Sequence, residues 1–476
     1  MKKGFVFLML VLSISLVSYG QFSESTNVSK TALIPSRNPA VCFGPDGIVH
    51  MVWVESYTST TSDVLYVNYD GVAWSTPVKI TPGRGAVTTF PYIASNNKGQ
   101  MAVIWESNRG ETWLREYDAA TKKWLPAFML DEAIFGYLDK PKLALDDDNN
   151  IYCFYFTRGA GYGTAKCRIN GVWEVRFRLN EPGLRIKEGG IAVGADGTVW
   201  AAYSVKEGGG DYKIYYRKRT KSTPWSKSLR PFLGGHSQEQ AFVAMGPDNV
   251  PRIGYIGNAG VEGNNAVNMI FLNEKNNPNE NVIAPSIHHY PRVAVDSNNV
   301  THVAVEWGQG DHGLAILYTN NETDHWAPAI QLPNSGGGPK LPGIGSEAFG
   351  NIAVVWDSMI DNYMEAWFTS RYPVEVKRFL PPVGLAAKVS LTSVKRTPVT
   401  TYTLTWAKNP ENNDKYIRGY KIYKKIGDGA FELLQEYGKD ILTQTYEFTS
   451  MAGKVQFAIS TVSVTGQEGD LAYFSF

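Results

Sequence analysis

The sequence predicts an all-β protein: a seven-bladed β-propeller followed by a C-terminal immunoglobulin-like β-sandwich. Three observations predict it. A unit of about 50 residues recurs seven times, and each unit carries the pattern of four short antiparallel strands. Beyond residue 381 the repeat stops and a different β pattern takes over. No apolar periodicity of 3.6 runs long enough to propose a helix.

The second strand of each unit is the clearest element. "GIVHMVW" ends at Trp53, "GQMAVIW" at Trp105, "NIYCFYF" at Phe156 and "GTVWAAY" at Tyr203. "NVPRIGY" then ends at Tyr255, "NVTHVAV" at Val305 and "GNIAVVW" at Trp356. The end points are 52, 51, 47, 52, 50 and 51 residues apart, taking differences along 53, 105, 156, 203, 255, 305 and 356. Ahead of each lies a short first strand, such as "PYIAS" or "PRVAV", and a tight polar turn, such as "GPDG" or "DSNN". A longer, Gly-rich loop leads to a third strand such as "VLYVNY". A fourth segment opens at Trp74, Trp124, Trp173, Trp225 or Trp326.

The turns "NYDGVAW" and "NNETDHW" resemble the Asp-box turns of sialidase-like (BNR-repeat) propellers. That resemblance spans about three quarters of the chain by its period, and it implies a propeller with a site at one mouth. Arg37–Asn38–Pro39 is similar to the Arg–x–Pro that this family sets before an early first strand. The chain offers no match for the family's two further arginines, and the family has six blades. After the Pro381–Pro382 linker, "TYTLTWAKNPENNDKYIRGYKIYKK" resembles strands B and C of a fibronectin type III domain. The resemblance makes Trp406 the core tryptophan and sets Tyr420, Ile422 and Tyr423 in the next strand. "VQFAISTVSVTGQEG" resembles that family's F–G hairpin, with Phe457 where a tyrosine is usual. The expected organisation is a signal peptide over 1–20, a propeller over 21–381 and the type III-like domain over 382–476.

"MKKGFVFLMLVLSISLVSYGQ" reads as a secretory signal cleaved before Gln21: Lys2 and Lys3, a short apolar run, then Ser18 and Gly20. A secreted, periplasmic or cell-surface protein is expected, without a membrane span in the mature chain and monomeric. Lys+Arg 46 against Asp+Glu 45 gives net charge +1. This excludes the broad basic field of a nucleic-acid binder. Of the three cysteines, Cys153 and Cys167 flank "RGAGYG" almost symmetrically, either as a cross-strand disulfide or as two buried thiols.

In a propeller the first strands line the central channel, and the residues just before them ring its mouth. Counting back eight from the residue that opens each second strand (nine in the third unit) reaches Pro39, Pro91, Pro141, Gly189, Ala241, Pro291 and Pro342. The ring before these positions supplies the candidate ligand-binding residues: Arg37, Phe90, Asp139, Lys140, Lys187, Glu188, Glu239, His289 and Tyr290. Phe90 and Tyr290 suit stacking on a sugar, and the charged members bring acids, bases and cations within reach of one ligand. The bland alternative is a solvated rim whose charges pair with one another. His288 and His289 are adjacent, so an extended chain points them apart, and no metal or cofactor is expected. "LDDDNN" at 145–150 reads as a solvated turn on the opposite face. The expected function is recognition of an extracellular glycan or protein. The alternative is a glycan-active enzyme of sialidase or lyase type; a resemblance to seven-bladed propeller lyases would make His289, Tyr290 and Arg37 base, acid and charge neutraliser.

Overall fold

In the computed structural model the chain is all-β; the one helical piece among the described residues is the short turn Asp414–Tyr416. The structure describes residues 22–475, apart from 32, 84–85, 133–136, 159–160, 208–209, 232–236, 259–264, 274–278, 287, 310–311, 324, 334–335, 395–396, 450–453 and 465. At some strand positions, 137–139 among them, it describes the backbone only. The expected signal peptide lies outside the described residues. No helix among the described residues is long and apolar enough to cross a membrane.

Residues 26–370 form seven small antiparallel sheets. Their first strands are Ser36–Phe43, Thr88–Ser95, Tyr137–Leu145, Arg185–Val193, Gln238–Met245, His288–Val295 and Gly337–Ser346. Each packs beside the first strand of the next sheet, and Gly337–Ser346 packs beside Ser36–Phe43, so the series closes on itself. The second strands show why. Met101–Ser107 is buried along its whole length. Its alternate side chains divide between two cores: Val103 and Trp105 pack against the first sheet, Ala102 and Ile104 against the third. Seven such cores separate neighbouring sheets, the last joining the seventh to the first. The end points Trp53, Trp105 and Trp356 are fully buried in these cores. Burying such a side chain contributes roughly 1.5–3 kcal/mol.

The ring is fastened by its own N-terminus. Thr26–Asn27 pairs with Phe368 and Trp367 and supplies the outer strand of the seventh sheet. Phe22 packs its ring edge-on to Tyr318 at 4.8 Å.

At one end of every first strand sits the tight turn read from the sequence. The turn needs a residue in the left-handed region. Gly47, Gly99, Gly197 and Gly350 supply it in four sheets, and Asn149, Asn249 and Asn299 in the other three. Asparagine adds a bond between sheets: Asn249 Oδ1 accepts from the Asp196 N–H at 3.2 Å, and Asn299 Oδ1 from the Asp248 N–H at 3.0 Å.

Cys153 and Cys167 do not face each other. Cys153 stands opposite Lys166, and Cys167 opposite Tyr152. One position out of register on a pleated strand means opposite faces. Cys153 therefore joins the core toward the second sheet and Cys167 the core toward the fourth. Of the two alternatives, buried free thiols is the one found.

Residues 383–473 form two further sheets. One orders Val383–Val394, Thr397–Ala407 and Thr443–Thr449; the other orders Glu432–Gly438, Ile417–Ile426, Val455–Ser463 and Ala472–Tyr473. Both contribute to one core, in which Trp406 meets Tyr420 edge-on at 5.7 Å and Phe457 is fully buried.

Candidate functional site

The far end of the first strands carries a feature that the residue pattern announces only in part. Every first strand is bulged there. Between Arg37 and Ala40 the strand advances three residues while its partner advances two, from Val54 to Val52. The same extra residue falls between Thr89 and Tyr92, Asp139 and Lys142, Glu239 and Phe242, His289 and Arg292, and Lys340 and Gly343. In six sheets the residue before the repeat's Pro or Ala is left-handed: Asn38, Phe90, Lys140, Gln240, Tyr290 and Leu341, with φ of 54°, 47°, 45°, 57°, 53° and 49°. Each costs on the order of 1–2 kcal/mol for a side chain with a Cβ. Six strained positions in one register re-aim six side chains at the mouth of the ring.

Side chains of the preceding sheet hold these bulges. Asp357 Oδ2 accepts the Asn38 N–H at 3.2 Å, and Glu306 Oε2 accepts the Leu341 N–H at 3.0 Å. Gln240 Oε1 accepts the Tyr290 N–H, and Ser204 Oγ accepts the Ala241 N–H at 3.3 Å. The count back to the ring does not reach Glu306 and Asp357, although a signal exists: they directly follow the aligned end points Val305 and Trp356, as Glu106 follows Trp105.

The fourth sheet departs from the rest. Its bulge falls one position earlier, at Lys187, so Glu188 pairs with Ser204 and turns inward. The alignment of the repeats sets Glu188 on the rim beside Lys140 and Tyr290. Instead its side chain is only 3% exposed, with Lys140 Nζ at 3.4 Å and Arg292 Nη2 at 3.8 Å. Burial pushes the Glu188 carboxyl up, but Lys140, Arg292 and Lys142 together outweigh burial and hold it below the ordinary glutamate range.

Around Glu188 the mouth assembles across the ring. Lys140 Nζ lies 5.0 Å from the Tyr290 ring and 5.9 Å from the Phe90 ring. Arg292 stands 5.9 Å from Tyr290 and 5.3 Å from Phe242, and Lys142 Nζ stands 5.1 Å from Tyr92. A second group sits beside this one. Lys187 pairs with Glu239 and lies 5.0 Å over the Tyr212 ring. His289 is close enough to feel both charges, and its ring is 6.2 Å from that of Tyr290. Burial, aided by Lys187 and opposed by Glu239, lowers the His289 pKa, so its imidazole is neutral at pH 7.

Eight of the nine expected residues can thus be placed. Lys140, Glu188, Tyr290 and Phe90 form one group, and Lys187, Glu239 and His289 another. Arg37 is exposed and joins neither; its charge acts on Asp357. The Asp139 side chain lies outside the described residues. Arg292 and Lys142 escape the sequence pattern because each directly follows the repeat's proline, where the pattern reads as ordinary strand. His288 points the other way, buried, with Nδ1 2.8 Å from the Asn265 carbonyl.

The mouth narrows to a cavity of about 50 Å³, lined by six of the seven first strands. A wider concavity of about 1020 Å³ lies at the turn end, where "LDDDNN" sits. Its acids are engaged: Asp146 accepts from the Asn150 N–H and Tyr152 hydroxyl, Asp147 from Asn97, and Asp148 pairs with Lys221. No group of three or more His, Cys, Asp or Glu side chains poised for a metal occurs among the described residues.

Comparison with protein-family models and with curated proteins gives no match. Among solved structures, a protein of unknown function from Dyadobacter fermentans is similar at 12% identity and a TM-score of 0.48, covering 74% of this chain and 98% of its own. A polysaccharide lyase is similar at 8% identity and a TM-score of 0.49, over 70% of this chain and 89% of its own. An α-L-arabinofuranosidase of Fusarium graminearum is similar at 12% identity and a TM-score of 0.41, over 74% and 96%.

Proposed function

We propose that the chain is an exported seven-bladed β-propeller that recognises a glycan at its bulge-end mouth, carried beside a fibronectin type III-like sandwich. The seven closed sheets support the blade count. The strand orders of the two C-terminal sheets support the type III reading. The observation that carries the function is the bulge itself. One repeated, strained backbone device brings Phe90, Lys140, Lys187, Glu239, His289 and Tyr290 to a single opening from five different sheets. Aromatic faces beside fixed charges are what a pyranose needs, with stacking for its apolar face and hydrogen bonds for its hydroxyls. Strain of this kind persists where the surrounding fold over-determines it, and it gathers at binding sites.

A second reading, a glycan-active enzyme, is favoured by one observation. His289 is held neutral, next to Tyr290 and close enough to Lys187 to feel its charge, as a proton acceptor beside a charge-neutralising group would be. Both readings meet in one experiment. The chain from Gln21 is applied to a glycan array and, in parallel, incubated with the polysaccharides it binds while new reducing ends are counted. His289→Ala with Tyr290→Ala should weaken binding at least tenfold and lower the melting temperature by no more than a few degrees, since half-exposed side chains bury little area. An empty array rejects recognition of glycans. New reducing ends that vanish in the double variant establish the enzyme instead.

A further inference from the structure

Every sheet has an outer strand, and among the described residues all but one of these strands are shielded. In the ring, the outer strands of the first, third, sixth and seventh sheets are two residues long. That of the second is bulged, that of the fifth is bulged twice, and that of the fourth carries Lys213, Arg217, Lys218 and Arg219. Shortness, bulges and charge all stop one sheet edge from pairing with another. In the C-terminal unit Ala472–Tyr473 is two residues long, and Glu432–Gly438 presents Glu432 and Glu436. Along Thr443–Thr449 the exposed side chains are threonines and Glu447. Val383–Val394 is the exception. It is the outer strand of its sheet, 12 residues long, and runs from Ala386 to Val394 without a register shift. No described strand pairs with its other edge, and its one charge is Lys388. Leu385 and Ala387 turn into the sandwich core. The next two residues on that face, Val389 and Leu391, are 48% and 75% exposed, and no described leucine is more exposed than Leu391.

We propose that this edge pairs with the same edge of a second copy of the chain, in place of the monomer expected from the sequence. The two strands run antiparallel about a two-fold axis at Ser390, and two three-stranded sheets become one of six strands. The residues select both partner and register. Two-fold symmetry about an axis normal to the sheet sets one residue opposite its own counterpart. With Ser390 on the axis, Val389 of each copy faces Leu391 of the other, and Lys388 faces Thr392. Within its own sheet Val389 already stands opposite Tyr402, and Leu391 opposite Thr400. The exposed pair therefore completes a row, Tyr402–Val389–Leu391–Thr400, that crosses the junction twice. Neighbouring registers are poorer. An axis at Lys388 brings two like charges together, one at Leu391 sets Val389 against Ser393, and one at Val389 sets Leu391 against the half-buried Ala387. The edge is thus complementary to itself. A single strand pair is smaller than the interface of a permanent dimer, so the copies exchange and the dimer grows with concentration.

The test is sedimentation velocity of the chain from Gln21, from low to high micromolar concentration, together with cysteine cross-linking. The wild type should pass from monomer to dimer across that range. Leu391→Lys should stay monomeric throughout and keep the wild-type melting temperature, because the side chain it replaces is exposed. Facing Cα atoms of an antiparallel pair lie about 4.5–5.5 Å apart, within reach of a disulfide. Ser390→Cys should therefore cross-link to itself under mild oxidation and be released by reductant. Lys388→Cys should cross-link when mixed with Thr392→Cys and not by itself. The native cysteines set the background, with Cys153 and Cys167 buried and Cys42 half-buried. A wild type that is monomeric at every concentration overturns the proposal. A dimer that persists in Leu391→Lys overturns it too, since another surface then holds the copies. Lys388→Cys cross-linking to itself as readily as Ser390→Cys overturns the register, and with it the self-complementarity on which the choice of partner rests.

Discussion

Asp357 shows what the mouth demands of single residues. Its carboxylate is 2% exposed as a residue and accepts the N–H of the strained Asn38. Burial pushes its pKa up from 3.8 to about 7; the Asn38 bond and Arg37 oppose that rise, and Glu306 adds to it. Between those two values the folded chain keeps a proton that the unfolded chain has lost. Folding stability therefore falls as pH rises across that window. Asparagine at 357 keeps an acceptor for the Asn38 N–H and never ionises. Asp357→Asn should accordingly match the wild type near pH 4 and exceed it by on the order of 4 kcal/mol at pH 8, since each tenfold change in proton affinity is worth about 1.4 kcal/mol. Urea titrations at the two pH values read this directly. An equal effect at both would mean that the carboxylate carries no buried charge. The sequence marks Asp357 and Glu306 only by their place directly after the aligned end points, because an acid that ends an apolar strand normally marks the exit to solvent. Only closure of the ring, which brings the next bulge over it, makes it an interior group.

At the scale of elements, the strands and turns were legible because each follows from local chemistry. Alternation, the Gly or Asn that a left-handed turn position requires, and the aromatic end point all repeat in the sequence. The bulge was half legible: the recurrent proline marked its place, but a residue count cannot tell which of two positions takes the extra residue. The fourth sheet shows the consequence, since its proline is replaced by Gly189 and its bulge moves to Lys187. The packing explains why. A Cβ on Gly189 would lie 2.6 Å from the Ala202 carbonyl oxygen and 2.6 Å from the Phe154 ring. The Phe154 ring and the Tyr203 side chain, whose Cβ would be 2.8 Å away, already fill that space. Making this strand match its siblings should therefore harm it. Gly189→Pro and Gly189→Ala are both expected to destabilise by about 1–3 kcal/mol, the usual cost of overpacking. Thermal denaturation of either variant checks this, and a melting temperature at or above wild type would show that the fourth sheet can adopt the common bulge.

At the scale of the whole molecule, the chain closes twice: once where Thr26–Asn27 joins the seventh sheet, and once where the C-terminal unit meets the ring. The sequence suggests a semi-rigid proline spacer at the second place. The contacts are those of a gripped segment. Asn412 exchanges two bonds with the Leu380 backbone, at 2.8 and 2.7 Å, Thr461 Oγ1 donates to the Leu380 carbonyl at 2.7 Å, and Asn409 Nδ2 to the Pro381 carbonyl at 2.9 Å. Lys377 is buried, with Tyr416 Oη at 3.1 Å and Glu347 of the seventh sheet at 3.5 Å. Phe349 of the same sheet meets Tyr416 ring to ring at 4.6 Å. Composition could not reveal this, because the partners Asn409, Asn412 and Gly469 look like ordinary loop residues until the fold brings them to 377–381. An interface of this kind couples the two units, so the intact chain should melt in one calorimetric transition. Gly469 is where that coupling can be cut with least collateral change: a Cβ there would fall 1.7 Å from the Phe379 carbonyl oxygen, while the sheets on either side remain intact. Gly469→Val should split the endotherm in two, with the C-terminal unit melting first. Two transitions in the wild type would show that the grip on 377–381 does not couple the units, and a single unshifted transition in the variant would show that the segment can retreat from Gly469 at no cost.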